Sequence, residues 1–442
     1  MFERIRQARR TARERVELDA LIEDCRQLLT ERGESNSLVI AARALERYRA
    51  LSEPAVHQLF EVLAGEFDPD PAVVLQLAQA YAAEQSPENL IALMKAAEPP
   101  RQELLRRLNR APDGTGALVA MRARLLQRLR QQPALKSVDA DLQHLLSSWF
   151  NPGFLTLRQV DWNAPAQLLE KIIQHEAVHE IDGWTDLRRR LEPDRRCFAF
   201  FHPMLPDEPL IFVEVALLDA MPAAIAPLLD RRSVPETRED RFKVAVFYSI
   251  SNCQPGLRGV NLGNFLIKRV AERLQQSLPK LKTFCTLSPI PSFASWYARV
   301  EHIESPRLKP AVQRELNAGL QRLRERHGRD LSPLVLPPAE GAPARSRTAA
   351  ADLQMMQRLC AFYLTDTSPT EQRASDPVAR FHLNNGARLE RINAAADLSR
   401  NGLRQSFGQM VNYLYDLDEI ESNHDRFVND QVSTSKAVLG LL

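Results

Sequence analysis

The stretch from Lys243 to Leu274 decides the fold of the second half of the chain, and it has three parts. The first, KVAVFYSIS (243–251), is so dense in apolar residues that it predicts a central, buried β-strand. The second, QPGLRGVNLG (254–263), is a glycine-rich turn. The third predicts an amphipathic helix, because apolar residues recur at helical spacing: Leu262, Phe265, Leu266, Val270 and Leu274. A strand that passes through such a turn into a helix predicts an α/β or α+β domain.

Three further strands are predicted on either side of this stretch. RCFAFF (196–201) ends at His202-Pro203, LIFVEVAL (210–217) returns after a short turn, and TFCTL (283–287) follows the helix. The first two predict an antiparallel pair, because only a few residues separate them. The order strand, strand, strand, turn, helix, strand therefore predicts a mixed sheet in the second part of the chain.

The first 150 residues predict helices only. Proline stands at several candidate helix starts, as in Glu53-Pro54, Asp70-Pro71 and Ser86-Pro87, where it suits the first helical turn. The apolar residues recur at helical spacing without strand-like alternation. We therefore predict a multidomain α and α/β protein, with an all-helical domain over residues 1–150 and a mixed-sheet domain over residues 151–442.

Composition argues against several classes of protein. The 442 residues are 44% apolar and 26% charged, which is typical of a folded chain. With 58 basic against 56 acidic residues, the net charge of +2 gives no global reason to bind nucleic acid. No run approaches the roughly 18 apolar residues of a membrane span. The five cysteines are scattered, which predicts reduced thiols. The first residues carry charges of both signs and fit neither a secretory signal nor a transit peptide. We therefore expect a cytoplasmic protein.

The glycine-rich turn is the first candidate site. Glycine lets the backbone approach a ligand closely, and the unpaired amides at the start of a helix can hold a pyrophosphate. RGVNLG (258–263) matches neither the G-x-G-x-x-G of a dinucleotide fold nor a P-loop. It resembles the R-x-x-G-x-G/A turn with which the GNAT acyltransferase fold holds coenzyme A, with Asn261 in place of a glycine. A purely structural role stays open, because tight strand-to-helix turns need glycine in any case.

His175 to His179 is a literal H-E-x-x-H. On a helix it would place two histidines on one face as zinc ligands, with Glu176 as the base of a peptidase. The extended pattern fails, because Thr185 stands where its last histidine would be, and Asp182-Gly183 breaks the helix soon after. We therefore regard a chance match as the better interpretation.

Ser288 and His382 are candidate catalytic residues. Ser288 directly follows a predicted strand and is flanked by prolines, at the end of the sheet where a ligand on the turn would lie. His382 lies in RFHLNNGA (380–387). A lone histidine is more often structural than catalytic, and the sequence alone does not bring it to Ser288.

Several motifs together resemble the malonyl-CoA decarboxylase family. They are HEAVHEIDGW (175–184), GLRGVNLGNFLIK (256–268), LSPIPSF (287–293), FHLNNGA (381–387) and VNYLY (411–415). The string LSPIP downstream of GLRGVNLG, with HLNNGA further on, is far more specific than any one of these alone. Family members share the E-A-V-H part without a zinc site, which weakens the peptidase interpretation further.

The resemblance implies a fold, a reaction and a set of site residues. The fold is a helical domain that mediates assembly into a homotetramer, a dimer of dimers, followed by a GNAT-like catalytic domain. The reaction converts malonyl-CoA to acetyl-CoA and CO2 through a thioester enolate, without metal, biotin or another cofactor. The catalytic serine and histidine map onto Ser288 and His382. The substrate-binding residues are these two and the turn: Arg258, Gly259, Val260, Asn261, Leu262, Gly263 and Asn264.

Two other functions stay open at this point. An acyl-CoA transferase on the same fold would need an acceptor amine and a base for it. A non-catalytic sensor would bind malonyl-CoA and release nothing. The sequence also leaves open which of four basic residues contacts the 3′-phosphate of CoA: Lys268, Arg269, Lys280 or Lys282.

Overall fold

The computed structural model describes residues 2–260, 262, 266–337, 346–369 and 376–442. The chain forms two compact units. The first, here called the helical unit, comprises Met1–Thr156, Phe201–Leu210 and Cys253–Leu262. The second, here called the sheet unit, comprises Leu157–Phe200, Ile211–Asn252 and Gly263–Leu442.

The helical unit is built from the helices that the sequence predicts. Their apolar stripes bury a leucine-rich core. Asp70 and Ser86 each cap a helix, accepting hydrogen bonds from the backbone N–H groups of Ala72 and Asn89. The helices are α1 (Phe2–Thr30), α2 (Glu34–Ala50), α3 (Glu53–Gly65), α4 (Pro71–Ala83), α5 (Pro87–Ala97), α6 (Pro100–Asn109), α7 (Gly114–Leu126) and α8 (Lys136–Trp149).

The strands form a mixed sheet, which the described residues build from eight strands. They are β1 (Thr156–Val160), β2 (Arg195–Phe201), β3 (Ile211–Leu218), β4 (Val244–Asn252), β5 (Thr283–Thr286), β6 (Ser288–Pro289), β7 (Arg388–Asn393) and β8 (Met410–Leu414). Their order is β1-β2-β3-β4-β5-β8-β6, and β7 pairs with β8. A helical first region followed by a mixed sheet confirms the predicted fold class.

The helices of the sheet unit cover and connect these strands. They are α9 (Ala166–His175), α10 (Gly183–Arg190), α11 (Ala226–Leu229), α12 (Leu266–Ser277), α13 (Phe293–Arg299), α14 (Pro310–His327), α15 (Arg347–Thr365), α16 (Pro377–Asn384), α17 (Arg400–Ser406), α18 (Ile420–Val428) and α19 (Lys436–Leu439).

The order of elements around the deciding stretch is as predicted. β2, β3 and β4 are antiparallel neighbours, and β4 pairs in parallel with β5. Parallel strands need a crossover, and α12 lies within it. The buried stripe of α12 contains Leu266, Val270 and Leu274 as expected. Of the other two predicted members, Leu262 is buried but precedes α12, and Phe265 lies outside the described residues.

The sequence does not predict β1, β7 and β8. β8 lies between β5 and β6 in the sheet, yet it carries a fully buried amide, Asn412, whose side chain donates to the backbone oxygen of Thr286 at 2.7 Å. β7 reads RLERIN, and its three charged residues and one amide leave only two apolar positions, three residues apart. Buried polar groups with partners hide the apolar alternation by which strands are recognised.

Two other expectations bear on the class of protein. No helix within the described ranges combines the length and the apolar character that crossing a bilayer requires. All five cysteines are buried and free of disulfide bonds, as expected for reduced thiols.

Candidate active site

Two adjacent strands fix the hydroxyl of Ser288. The residue pairs with Val411 of β8 immediately after β5 ends, and its side chain is buried. Its Oγ donates a hydrogen bond to Oγ1 of Thr286 at 2.9 Å. The same Thr286 oxygen accepts from the backbone N–H of Tyr413 at 3.1 Å. The serine is therefore held by the sheet itself.

His382 is held by the short helix α16. Asp376 caps this helix, and its Oδ1 accepts from the backbone N–H groups of Val378 and Ala379 at 2.9 and 3.1 Å. Its Oδ2 accepts from the backbone N–H of Ser292 at 3.1 Å. Burial raises the pKa of Asp376 to about 6, so it is mainly ionised at pH 7, the form suited to accepting three N–H groups. The cap thus ties the histidine helix to the segment that follows Ser288.

The structure brings Ser288 and His382 into direct contact. Oγ of Ser288 lies 2.9 Å from Nε2 of His382. The other ring nitrogen, Nδ1, lies 2.8 Å from the hydroxyl of Tyr415. The imidazole also stacks on the ring of Tyr413, with centroids 4.6 Å apart. A serine, a histidine and two tyrosines therefore form one buried cluster.

Burial determines the charge of this cluster. Loss of solvation lowers the pKa of His382 to about 3, so the imidazole is neutral near pH 7. Burial also raises the pKa of Tyr415 well above its usual value, so its hydroxyl keeps its proton. The partner of Nδ1 is thus a neutral phenol, whereas hydrolase triads place a carboxylate there to stabilise an imidazolium.

The hydrogens of the cluster can be assigned from its donors. Ser288 has one hydroxyl hydrogen, which it donates to Thr286. Its oxygen therefore accepts from Nε2–H of His382, and Nδ1 accepts from the hydroxyl of Tyr415. The histidine is the donor and the serine the acceptor, which is the reverse of a serine nucleophile activated by a base.

A mainly apolar cavity of about 320 Å³ opens onto this pair. It lies in the sheet unit, and strands β3 and β4, α16 and the loop after α9 contribute to its wall. Such a wall with few polar groups is typical of a small-molecule site. The lining residues are Val178, Ile211, Phe247, Tyr248, Ile250, Asn252, Ser288, Pro289, Pro377, Val378, Phe381 and His382.

The H-E-x-x-H motif builds part of this wall and does not form one helical face. α9 ends at His175, so the rest of the motif is a loop. The carboxylate of Glu176 accepts from the hydroxyl of Ser249 at 2.7 Å and from the backbone N–H groups of Val178 and His179, both at 2.8 Å. Among the residues whose placement is described, no three candidate ligands converge on one point. Glu176 instead anchors the loop that carries Val178 into the cavity wall.

The glycine-rich turn belongs to the helical unit as far as Leu262. Gly259 has a φ of +79°, a conformation that favours glycine, and the side chain of Arg258 is exposed. Val260 and Leu262 are buried. The remaining predicted members, Asn261, Gly263 and Asn264, lie outside the described residues.

The four candidates for the CoA 3′-phosphate differ in their surroundings. Lys268 forms an ion pair with Glu421 at 2.8 Å, and the guanidinium of Arg269 lies over the ring of Phe200. Lys280 and Lys282 are exposed.

Sequence reasoning misses Thr286, Asp376 and Tyr415 as members of the cluster. Tyr415 lies in the VNYLY string, which bears on the family resemblance but carries no sign of contact with a histidine. A useful signal is the spacing of Tyr413, in β8, and Tyr415, directly after it, since residues two apart in an extended chain face the same side. The pairing of β8 beside Ser288, which decides the contact, is not visible in the sequence.

Comparison with known proteins gives a consistent result. Residues 153–442 match the family model described as malonyl-CoA decarboxylase C-terminal domain, and residues 67–150 match that of the N-terminal domain. The crystal structure of malonyl-CoA decarboxylase from Rhodopseudomonas palustris is 46% identical, with a TM-score of 0.82 over 95% of this chain and 98% of that one. The structure from Agrobacterium vitis is also 46% identical, with a TM-score of 0.79 over 96% and 99%.

The curated relatives are similar over most of their length. The mitochondrial malonyl-CoA decarboxylase of Rattus norvegicus is 36% identical over 420 residues, covering 91% of this chain and 82% of the relative. That of Anser anser anser is 34% identical over 422 residues, covering 91% and 83%.

These relatives correct one prediction. We expected a cytoplasmic protein, and this is wrong, because the curated relatives are named as mitochondrial enzymes. The prediction rested on reduced thiols and on the charges of the first residues. Reduced thiols indicate redox conditions and not a particular compartment, so that argument could not decide the location.

Proposed function

The chain belongs to the malonyl-CoA decarboxylase family, and from that premise we propose that Ser288 and His382 convert malonyl-CoA to acetyl-CoA and CO2. The observation that carries the proposal is the 2.9 Å contact between Ser288 Oγ and His382 Nε2 at the wall of an apolar cavity. His382 donates to Ser288, which lines the cavity, and a protonation step requires such a donor next to the reacting group.

The reaction imposes two electronic demands. The electrons of the breaking C–C bond pass into the thioester, giving an enolate, and the carboxylate leaves as neutral CO2. The α-carbon of the enolate then takes up one proton, which the solvent replaces. A site for this reaction must therefore disfavour a localised carboxylate charge and supply a proton at the α-carbon.

The apolar wall meets the first demand. Phe247, Ile250 and Val178 offer no hydrogen bonds from their side chains to a carboxylate. In such surroundings the localised charge of the carboxylate is poorly solvated, whereas CO2 is neutral and the enolate spreads its charge. Ser288 is the hydroxyl that contacts the departing group and aligns the breaking bond with the carbonyl.

His382 meets the second demand through Ser288. The serine transfers its hydroxyl proton to the α-carbon and takes the Nε2 proton of the imidazole in its place. Nδ1 then takes up the hydroxyl proton of Tyr415, which the solvent replaces, so the imidazole ends neutral. Tyr415 holds the ring in the tautomer that has its hydrogen on Nε2.

The turn from Arg258 to Asn264 is proposed to bind the pyrophosphate of CoA. Its support is the positive φ of Gly259, the exposed guanidinium of Arg258 and the resemblance to the turn of the GNAT fold. The same resemblance supports a GNAT-like catalytic domain over residues 151–442, since β4, the turn and α12 follow each other in that order.

The helical domain over residues 1–150 is proposed to assemble the chain into a homotetramer, a dimer of dimers. The support is the pair α4 and α5, which bury none of their residues within the chain. Exposed apolar patches of this kind mark interaction surfaces. The large apolar residues more than a third exposed on these helices are Val73, Leu75, Leu90, Ile91 and Met94.

Product analysis of the purified protein tests the proposed function. Malonyl-CoA is supplied with a chelator present, first without and then with an acceptor amine. We expect equal amounts of CO2 and acetyl-CoA in both cases. Transfer of the malonyl group to the amine would instead identify an acyl-CoA transferase, and binding without release would identify a sensor.

A further inference from the structure

The backbone of the glycine-rich turn is tied to two helices of the helical unit. Arg122 of α7 is 1% exposed, and its Nη1 donates to the carbonyl oxygens of Gly256 and Arg258 at 2.8 and 2.7 Å. Gln143 of α8 donates through Nε2 to the carbonyl oxygen of Gly259 at 2.9 Å. Two side chains thus hold three carbonyls within four residues of the turn.

The turn also packs closely against α7, with no room for a side chain at Gly256. A β-carbon at Gly256 would lie 1.9 Å from the carbonyl oxygen of Val119, so only glycine fits there. A β-carbon at Gly259 would lie 3.1 Å from Nε2 of Gln143. The absence of side chains at these two glycines is what lets the helices reach the backbone of the turn.

The carbonyl contacts fix the direction of one amide. The peptide between Arg258 and Gly259 is trans and planar, so its C=O and N–H point in opposite directions. With the oxygen drawn to Arg122, the N–H of Gly259 is directed to the side of the turn opposite to α7. Backbone N–H groups presented in this way are the donors that a phosphate group accepts from.

The contacts of Arg122 differ from those of an arginine that only stabilises helices. Arg101, 3% exposed in the same unit, forms ion pairs with Asp68 and Asp141 and otherwise contacts a carbonyl of α3. Within the described part of the chain, Arg122 has one carboxylate partner, Asp139 at 2.8 Å from its Nε, and that contact leaves Nη1 for the turn. Arg122 therefore forms two of its charge-assisted hydrogen bonds with the turn that is proposed to bind the substrate.

We propose that Arg122 and Gln143 are positioning residues that hold the turn in its CoA-binding conformation, so that the helical unit sets the affinity for the CoA thioester. The inference rests on the proposed role of the turn in binding CoA. It gives the first 150 residues a part in substrate binding in addition to assembly.

The test compares steady-state kinetics of the full-length protein and calorimetric binding of CoA. The variants are Gln143→Ala, Arg122→Lys and Arg122→Ala, with Arg101→Lys as the matched buried control and Arg258→Ala as a probe of the turn. For Gln143→Ala and Arg122→Ala we expect KM for malonyl-CoA and Kd for CoA to rise about tenfold, with kcat within about twofold of wild type. Arg122→Lys keeps the charge and loses the forked donor, so we expect its KM to lie between that of wild type and that of Arg122→Ala.

The outcomes separate this inference from the proposed function. Arg101→Lys is expected to lower the thermal midpoint without raising KM, which distinguishes positioning from stability. If Arg258→Ala raises KM while Gln143→Ala and Arg122→Lys do not, the positioning role is wrong and the CoA-binding turn stands. If Arg258→Ala also keeps the wild-type KM and Kd, the turn does not bind CoA, and both proposals fail.

Discussion

At the scale of single residues, the proposed protonation step depends on the direction of the hydrogen bonds around His382. A neutral histidine that receives a bond from Tyr415 and donates to Ser288 is arranged to deliver a proton. In a hydrolase the hydrogen bond between such a pair has the opposite direction, because the serine donates to the histidine. The difference lies in the partner of Nδ1, which is here a phenol that keeps its proton because it is buried.

Replacing Tyr415 by phenylalanine tests this arrangement. Without the hydroxyl, Nδ1 loses its donor and the tautomer with its hydrogen on Nε2 is less favoured, so we expect kcat to fall by about tenfold or more while KM stays within about twofold. Tyr413→Phe is the matched control two residues earlier in the chain, because within the described residues the Tyr413 hydroxyl has no hydrogen-bond partner. A Tyr415→Phe protein as active as Tyr413→Phe would contradict the assigned direction.

Stability against pH tests the neutral state of His382. Burial lowers its pKa to about 3 in the folded protein, whereas an unfolded chain titrates near 6.5. Between these values only the unfolded chain binds the proton, so the free energy of unfolding falls as pH drops below about 6.5, by ~1.4 kcal/mol per pH unit. His382→Asn removes this contribution.

Urea unfolding at several pH values between about 4.5 and 6 gives the comparison. We expect the free energy of unfolding of wild type to fall with decreasing pH more steeply than that of His382→Asn, by ~1.4 kcal/mol per pH unit. Asp376, whose raised pKa acts in the opposite direction, is present in both proteins and cancels. Tyr413→Phe should keep the wild-type slope, and equal slopes for wild type and His382→Asn would mean that the histidine is not buried as described.

At the scale of elements, α16 connects packing with chemistry. Its eight residues are too few for a stable helix in isolation, so its position depends on the cap at Asp376 and on burial. Because Asp376 also accepts from the backbone of Ser292, the cap sets the distance between the helix and the strand that carries Ser288.

Asp376→Ala should therefore reduce both stability and activity. Loss of a capping side chain costs about 1 kcal/mol of unfolding free energy, and a shifted His382 should lower kcat by about tenfold. Asp70→Ala, which removes the cap of α4 in the helical unit, is the control and should cost stability without lowering kcat. Equal kcat values for the two variants would show that the cap at Asp376 does not position the histidine.

The composition and the partners of each element explain whether the sequence predicts it. β2 to β5 and α12 are predicted because their buried faces are apolar and their order is local. β7 and β8 are not, because Asn412 and its neighbours satisfy buried polar groups through partners that are distant in the chain. Ser288 and His382 are predicted as single residues, whereas their contact depends on β8, whose pairing no local pattern reveals.

At the scale of the whole molecule, the exposed apolar residues of α4 and α5 predict assembly. A homotetramer of a 50.1 kDa chain has a mass of about 200 kDa, which light scattering measures directly. We expect the double substitution Ile91→Glu and Met94→Glu to lower this mass, because two charges on the exposed face oppose its burial. Val234→Glu, at an isolated exposed position, should leave it unchanged. A wild-type protein of about 50 kDa would contradict the proposed assembly.

Turnover of malonyl-CoA in D2O by wild type, Ser288→Ala and His382→Asn tests the roles proposed for these two residues most directly. We expect wild type to release CO2 and acetyl-CoA in equal amounts, with one deuterium in the new methyl group. Each variant should fold and lose activity by about 100-fold or more. The controls Ser295→Ala and His144→Asn, at exposed positions, should remain as active as wild type. Near-normal turnover by both Ser288→Ala and His382→Asn would contradict the account.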